Sequence, residues 1–244
     1  MDAGKEFIEK IEELVNAART VKVGGLEYSV RELRPVLNEP KADGLEVFSL
    51  DSLCEFYNKG MADVPKEGLV AVIASPSRVL LMSGLDGQLR RRSQFVDAST
   101  GGVKEFSFGR FLDQESFARE FRSLMQPKDG DDSAYVLSYT GRLRGGTTVT
   151  TEDDGITQTG TVSRGVSGKL LDKETVKPIV RLSPYRTFRE LEQPESEFLF
   201  RVKLDGDGGP RAALFEADGG AWRLEAMRRI KEYIAGKCPG LTVL

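Results

Sequence analysis

The chain has 244 residues, of which 39% are hydrophobic and 30% charged. That is enough to bury a substantial core, and a formal charge of −3 gives no global attraction to nucleic acid or to an anionic membrane. There is no histidine, which removes the side chain that most often serves as general base near neutral pH, completes nucleophile triads and ligates transition metals.

Cys54 and Cys238 are the only thiols. They lie far apart, outside any CxxC or zinc spacing, so a reducing cytoplasm is the expected setting. The opening MDAGKEFIEKIEELV carries acids at helical period where an export signal would need a basic start and an apolar run. The longest apolar run, Leu69 to Ala74, is far short of the roughly 20 residues that span a bilayer. A soluble chain with no membrane partner is expected.

In chain order, Phe7, Ile8, Ile11, Leu14 and Val15 fall on one helical stripe, with Lys5, Glu9, Lys10 and Glu13 around it. Gly24-Gly25 between Val21–Val23 and Leu26–Val30 predicts a short hairpin, before Pro35 and Pro40 interrupt regular structure. Leu50, Leu53, Cys54 and Tyr57 share a helix face, with Ser49 or Asp51 as cap and Gly60 as stop. LVAVIAS, RVLLMSG and QLRRRSQFVDA, separated by Pro76-Ser77 and Asp86-Gly87, form an expected three-stranded antiparallel meander. A strand is expected at Lys104 to Phe108. Asp113 then caps a helix burying Phe117, Phe121, Leu124 and Met125, with Pro127 beyond its end.

Tyr135 to Tyr139 is expected to be a strand leading into a long hairpin arm at 141–168. There, threonine runs flank an Asp154-Gly155 turn. Seven glycines and few large apolar residues in that span mean that the arm buries little on its own chain, and an isolated hairpin is marginal in water. It reads either as a mobile flap or as an assembly arm. Thr147, Val149, Ile156, Thr159 and Val162 would then make subunit contacts. Further strands are expected at KPIVRLS, FLFRVKL and RAALFEA. A last helix presents Leu224, Met227, Ile230 and Ile234, with Asp218 or a following glycine as cap and Gly236 and Pro239 as stop.

The candidate sites each have a plain structural explanation beside the chemical one. Arg90, Arg91 and Arg92, extended by Lys104, Arg110, Arg142 and Arg144, would grip phosphates, or form a solvated or subunit-paired face. In the predicted strand, Arg90 and Arg92 point one way and Arg91 the other. Glu190, Glu192, Glu195, Glu197, Asp205, Asp207, Glu216 and Asp218 crowd the C-terminal third, but DGDGG lacks the remaining positions of a calcium loop, so no metal site is expected. Gly145-Gly146-Thr147-Thr148 and Asp218-Gly219-Gly220 lack the lysine of a phosphate loop and the glycine spacing of a dinucleotide site. Trp222 reads as a core or interface anchor, and Cys54 as a buried inert thiol.

Several stretches resemble the YfdQ-like proteins of tailed phages and prophages: SPSRVLLMSGLDGQLRRRSQFVDA, FGRFLDQESF, DDGITQTGTVSRG, SPYRTFRELEQPESEFLFRV and ALFEADGGAWRLEAMRRIKEYI. The most specific pieces are Pro184 to Phe188 with Glu192-Gln193-Pro194, and Phe215 to Gly220. The resemblance runs from about Leu69 to the last helix. It implies a phage origin and an intracellular, bacterial-host setting, and it supplies no catalytic residue, since the family is named for a domain of unknown function.

The expectation is therefore one compound α+β domain over 1–244, with antiparallel sheets covered by a few amphipathic helices and the 141–168 arm projecting from it. Its leading function is that of a non-enzymatic, phage-encoded accessory protein acting as a homo-oligomer, a ring or shell included, with Trp222 and the C-terminal segment joining the arm in subunit contacts. No cofactor is expected. The alternatives are a nucleic-acid-binding helper of replication or recombination using Arg90, Arg91, Arg92, Arg142 and Arg144, and a counter-defence protein binding a host factor or a signal nucleotide. A Mg²⁺ hydrolase acting through Glu216 and Asp218 ranks last.

Overall fold

The structure is a computed structural model describing residues 3–17, 20–23, 26–29, 43–60, 64, 66–87, 90–102, 104–143, 148–151, 158–161, 173–205 and 209–244. By its contacts the chain divides into two compact units, Met1–Ala42 and Asp43–Leu244. The first holds helix α1 (Ala3–Ala17) and an antiparallel pair, β1 (Thr20–Val23) and β2 (Leu26–Ser29), with Val23 opposite Leu26 as the alternation predicts.

The second unit is α+β, built on two main sheets. Its first sheet is the expected meander, β4 (Val70–Ser75), β5 (Arg78–Asp86) and β6 (Arg91–Ser99). Short parallel edges extend it: β3 (Leu45–Val47) lies beside β6, and β14 (Thr242–Val243) beside β4. Strands of two or three residues carry no period to read, which is why they were not expected. Val79 and Leu81 alternate inward along β5 and are fully buried, under α2 (Leu50–Lys59) and α5 (Trp222–Lys237). Ser49 caps α2 by accepting from Ser52 N at 3.0 Å, and Gly60 ends it at φ 70°, both as expected.

The second sheet has the order β11-β12-β13-β7: β11 (Ile179–Leu182), β12 (Ser196–Asp205), β13 (Gly209–Glu216) and β7 (Leu112–Asp113). Its apolar face packs on α3 (Gln114–Leu124), capped by Asp113, and on α4 (Ser133–Arg142). Phe117, Phe121, Phe198, Phe200 and Tyr139 fill the space between, and each fully buried ring contributes about 1.5–3 kcal/mol.

Three expectations about this unit are corrected. Tyr135 to Tyr139 is helical, lying within α4: Val136, Tyr139, Thr140 and Leu143 are buried at steps of three and four, and Asp131 starts the helix by accepting from Ser133 N at 2.8 Å. Lys104 to Phe108 forms no strand, and Phe106 is instead a core ring packed edge-on to Phe117. On α5 the buried stripe is Trp222, Ala226, Ile230 and Ile234, a strict four-residue ladder, while Leu224 is 71% exposed and Met227 half-buried. Apolar residues outnumber the positions that touch the sheet, so hydrophobicity alone misplaced the face.

A third sheet pairs β8 (Thr148–Thr151) with β9 (Gln158–Thr161), the two arms of the expected hairpin, and adds β10 (Lys173–Val176) on the far side of β9. β8 runs alongside β12. Gly141 and Arg142 belong to the last turn of α4. The Asp154-Gly155 turn, Arg144, Thr147, Ile156 and Val162 lie outside the described residues. Val149 and Thr159 sit in paired strands, Val149 opposite Gly160 and Thr159 opposite Thr150.

Candidate functional site

Between β11 and β12 the chain makes a loop that ties the two main sheets together, and one side chain organises it. Gln193 is fully buried. Its Oε1 accepts from Arg186 N at 3.0 Å and Thr187 N at 3.2 Å, and its Nε2 donates to the carbonyls of Phe188 at 3.0 Å and Leu191 at 3.1 Å. The amide thus supplies to four buried backbone groups the partners that a strand would otherwise provide. Gln193 N donates to Gln126 Oε1 at 2.8 Å, and Thr187 Oγ1 donates to Pro76 O in the β4–β5 turn of the first sheet.

This loop presents Arg186 to the space between the sheets with its side chain 1% exposed. Nη1 donates to Glu216 Oε1 at 2.6 Å and Nη2 to Ser196 Oγ. The guanidinium carbon sits 4.0 Å from the Trp222 ring centroid, with Phe198 at 5.5 Å and Phe108 at 5.8 Å. Burial pulls the Arg186 pKa down to about 10, against the pull of Glu216, Asp218 and Glu105, so it stays a cation at neutral pH. Ser196 in turn bonds Asp218, whose carboxylate accepts from Gly220 N at 3.0 Å at the start of α5. Burial raises the Asp218 pKa, but these hydrogen bonds and the charge of Arg186 outweigh it and leave the carboxyl below its ordinary range.

Above Arg186 lies an open cleft of about 560 Å³ walled by Phe108, Phe215 and Trp222 and rimmed by Glu105, Glu216 and Arg223. Charges of both signs line it, and the arrangement suits holding a polar group. Pro184 to Phe188, Glu192 to Pro194 and Phe215 to Gly220 come together here from distant parts of the chain. No family model, curated protein or solved structure matches the chain.

The arginine face is divided. Arg90 stands in a turn at φ 48°, outside the strand where an alternating pattern was expected. Arg92 donates to Ser83 O at 3.0 Å, within the meander. Arg90 and Arg91 are exposed and, among the described residues, make no ion pair. Arg142 belongs to the second sheet, at the end of α4 over the Tyr139 ring, and Lys104 is bound to Glu120 at 2.9 Å.

The acids are committed separately. Glu190 accepts from Leu50 N at 2.6 Å, Glu192 pairs with Lys128 at 2.7 Å, Glu197 with Arg181 at 3.4 Å and Glu216 with Arg186. Among the described residues no three metal-ligating side chains gather. Trp222 is a core side chain beneath Arg186, 8% exposed. Cys54 and Cys238, far apart in sequence, are hydrogen-bonded neighbours between α2 and the end of α5, and both are buried free thiols.

The remaining surface feature is α1. Phe7, Ile8, Ile11, Leu14 and Val15 are 66%, 59%, 44%, 63% and 40% exposed, so the described residues of the first unit leave the apolar stripe unburied. The stripe is the one that the helical period predicts.

Proposed function

We propose that this chain is a phage- or prophage-encoded, non-enzymatic accessory protein that works as a homo-oligomer in the cytoplasm of the bacterial host. The observation that carries the reading is the apolar stripe on α1, which the described residues of its own unit leave unburied. A 15-residue helix is marginal in water without packing, and five neighbouring apolar side chains at its surface form the kind of patch that marks an interaction site. The phage setting rests on the resemblance of the Arg186, Gln193 and Glu216 stretches to YfdQ-like proteins. Light scattering on the full chain tests the reading: a particle larger than one chain at micromolar concentration, reduced to one chain by Ile8→Asp with Ile11→Asp, is the expected result. A wild-type monomer under the same conditions overturns it.

A nucleic-acid role has one observation in its favour, the exposed Arg90 and Arg91, which make no ion pair among the described residues. Two phosphate contacts give weak affinity that falls steeply with salt. Titration of single-stranded DNA at low and moderate salt, with Arg90→Glu and Arg91→Glu as controls, separates it from self-association.

A further inference from the structure

We infer that α1 pairs antiparallel with α1 of a second copy, as a two-fold dimer in which Lys5 of each copy faces Glu12 of the other. The inference rests on the self-association reading and specifies its geometry.

The argument starts from helical register. With Ile8 and Val15 at the first position of a heptad and Ile11 at the fourth, Gly4 takes the preceding fourth position, Lys5 and Glu12 the fifth, and Phe7 and Leu14 the seventh. The first and fourth positions form the seam, and the fifth and seventh flank it. Lys10 and Glu13 pair with each other at 3.0 Å on the side away from the seam. Among the described residues Lys5 reaches Glu9, at 4.0 Å, through two well-exposed side chains, a contact too weakly held to compete with a new partner.

Orientation then decides what meets what. In an antiparallel pair, a first position packs on a fourth position of the other helix, and flanking positions meet their own kind. Ile8 then lies on Ile11, and Val15 on the small Gly4. On one flank Phe7 meets Leu14, apolar on apolar; on the other Lys5 meets Glu12, cation on anion. The two-fold axis repeats every one of these contacts. In a parallel pair, the seventh position of one helix meets the fifth of the next heptad on the other, which sets Phe7 against Glu12 and leaves Lys5 without an acid. Antiparallel packing also opposes the two helix dipoles, which parallel packing aligns. The seam is apolar in either arrangement, and the flanks and the dipoles favour the antiparallel one.

Such an interface is the same patch used twice, so it closes at two copies and does not propagate into a ring or shell. The chains leave the helix pair from opposite ends, about 22 Å apart for a helix of this length. The particle carries two copies of the Arg186 cleft, so any ligand presented in multiple copies is held bivalently. The patch is about three turns long, at the small end of stable interfaces, and the expected dissociation constant is in the micromolar range.

The test is charge exchange in the full-length protein, read by sedimentation equilibrium. Lys5→Glu alone and Glu12→Lys alone each turn two attractive contacts into repulsive ones and are expected to raise the dimer dissociation constant about tenfold. The double variant K5E/E12K restores it to within about twofold of wild type. These residues are on the exposed face of α1, so circular dichroism should report an unchanged fold. If Ile8→Asp with Ile11→Asp abolishes the dimer but the double charge variant fails to restore it, the antiparallel register is overturned while self-association stands. A wild-type chain that sediments as a monomer at about 100 µM overturns both. A species larger than two copies overturns the two-fold closure.

Discussion

Arg186 lies against the indole of Trp222, its guanidinium carbon 4.0 Å from the ring centroid, with two of its three nitrogens donating to Glu216 and Ser196. The cation is held by flat packing and by charge together, and substitution separates the two. Arg186→Ala removes both, opens a cavity beside Trp222 and leaves Glu216 without its partner. Glu216 is a third exposed and rehydrates, so the expected loss is about 3 kcal/mol in urea unfolding, the lower edge of the range for a broken buried pair. Arg186→Met keeps the packing and is expected to cost about half as much. Equal losses for the two variants would show that charge alone holds the site.

The carboxylates around α5 make the protein acid-sensitive. Hydrogen bonds from Arg228 and Arg229 hold Glu225 at about 2, and Asp218 and Asp97 also lie below their ordinary range. A carboxylate with a depressed folded pKa contributes stability that is fully present above its unfolded value, about 4, and is lost as pH falls through the folded value. Tm is therefore expected to be flat from about pH 7 to 5 and to fall between about pH 4 and 2. Glu225 is a third exposed and screened by water, so Asp218 should carry more of the slope. Asp218→Asn is expected to lower stability by about 1 kcal/mol at neutral pH and to flatten the acid limb; a limb as steep as wild type counts against this role.

The thiols should be inert. Burial pushes both Cys54 and Cys238 up, Cys54 well beyond the usual thiol range, so little thiolate exists at pH 8. Labelling of the native protein with a thiol reagent is expected to run at least about a hundredfold slower than in denaturant. Rapid modification of one thiol in the native state would contradict the packing of α2 on the end of α5.

What the sequence made legible follows from how each signal is carried. The meander between Leu69 and Ala98, the caps Ser49 and Asp113 and the strands ending at Glu216 all depend on neighbours within a few residues, and the periods of two and four expose them. Tyr135 to Tyr139 failed because Tyr and Val favour strands, while the deciding facts, Asp131 bonding Ser133 and the burial of Val136 with Tyr139 and Thr140, lie outside that local preference. The site was legible only in pieces. Arg186 and Glu216 stand 30 residues apart, and neither shows in sequence that it will be buried against Trp222. Gln193, which holds the loop, stood out in sequence only as part of Glu192-Gln193-Pro194, with no role attached; an amide beside a proline shows none until its four partners close around it. The exposure of the α1 stripe was equally hidden, because an amphipathic period states that a face needs a partner and not where that partner lies.

Gln193 offers the sharpest test of the loop. Gln193→Ala leaves the buried N–H groups of Arg186 and Thr187 and the carbonyls of Phe188 and Leu191 unpaired, and is expected to cost about 2–4 kcal/mol. Gln193→Glu is nearly isosteric and, as a carboxylate, still accepts from Arg186 N and Thr187 N, but it sets an anion against the carbonyls of Phe188 and Leu191. Protonation restores one donor and removes the charge, so the folded state binds the proton more tightly than the unfolded chain and the folded pKa is raised. The penalty is then full above that raised pKa and shrinks as pH falls toward the unfolded value near 4. Measured against wild type at each pH, the variant is expected to be least stable near pH 7 and to recover part of the difference near pH 5. A difference that is constant with pH would mean that the introduced carboxylate escapes to solvent and that the loop is not held from inside as described.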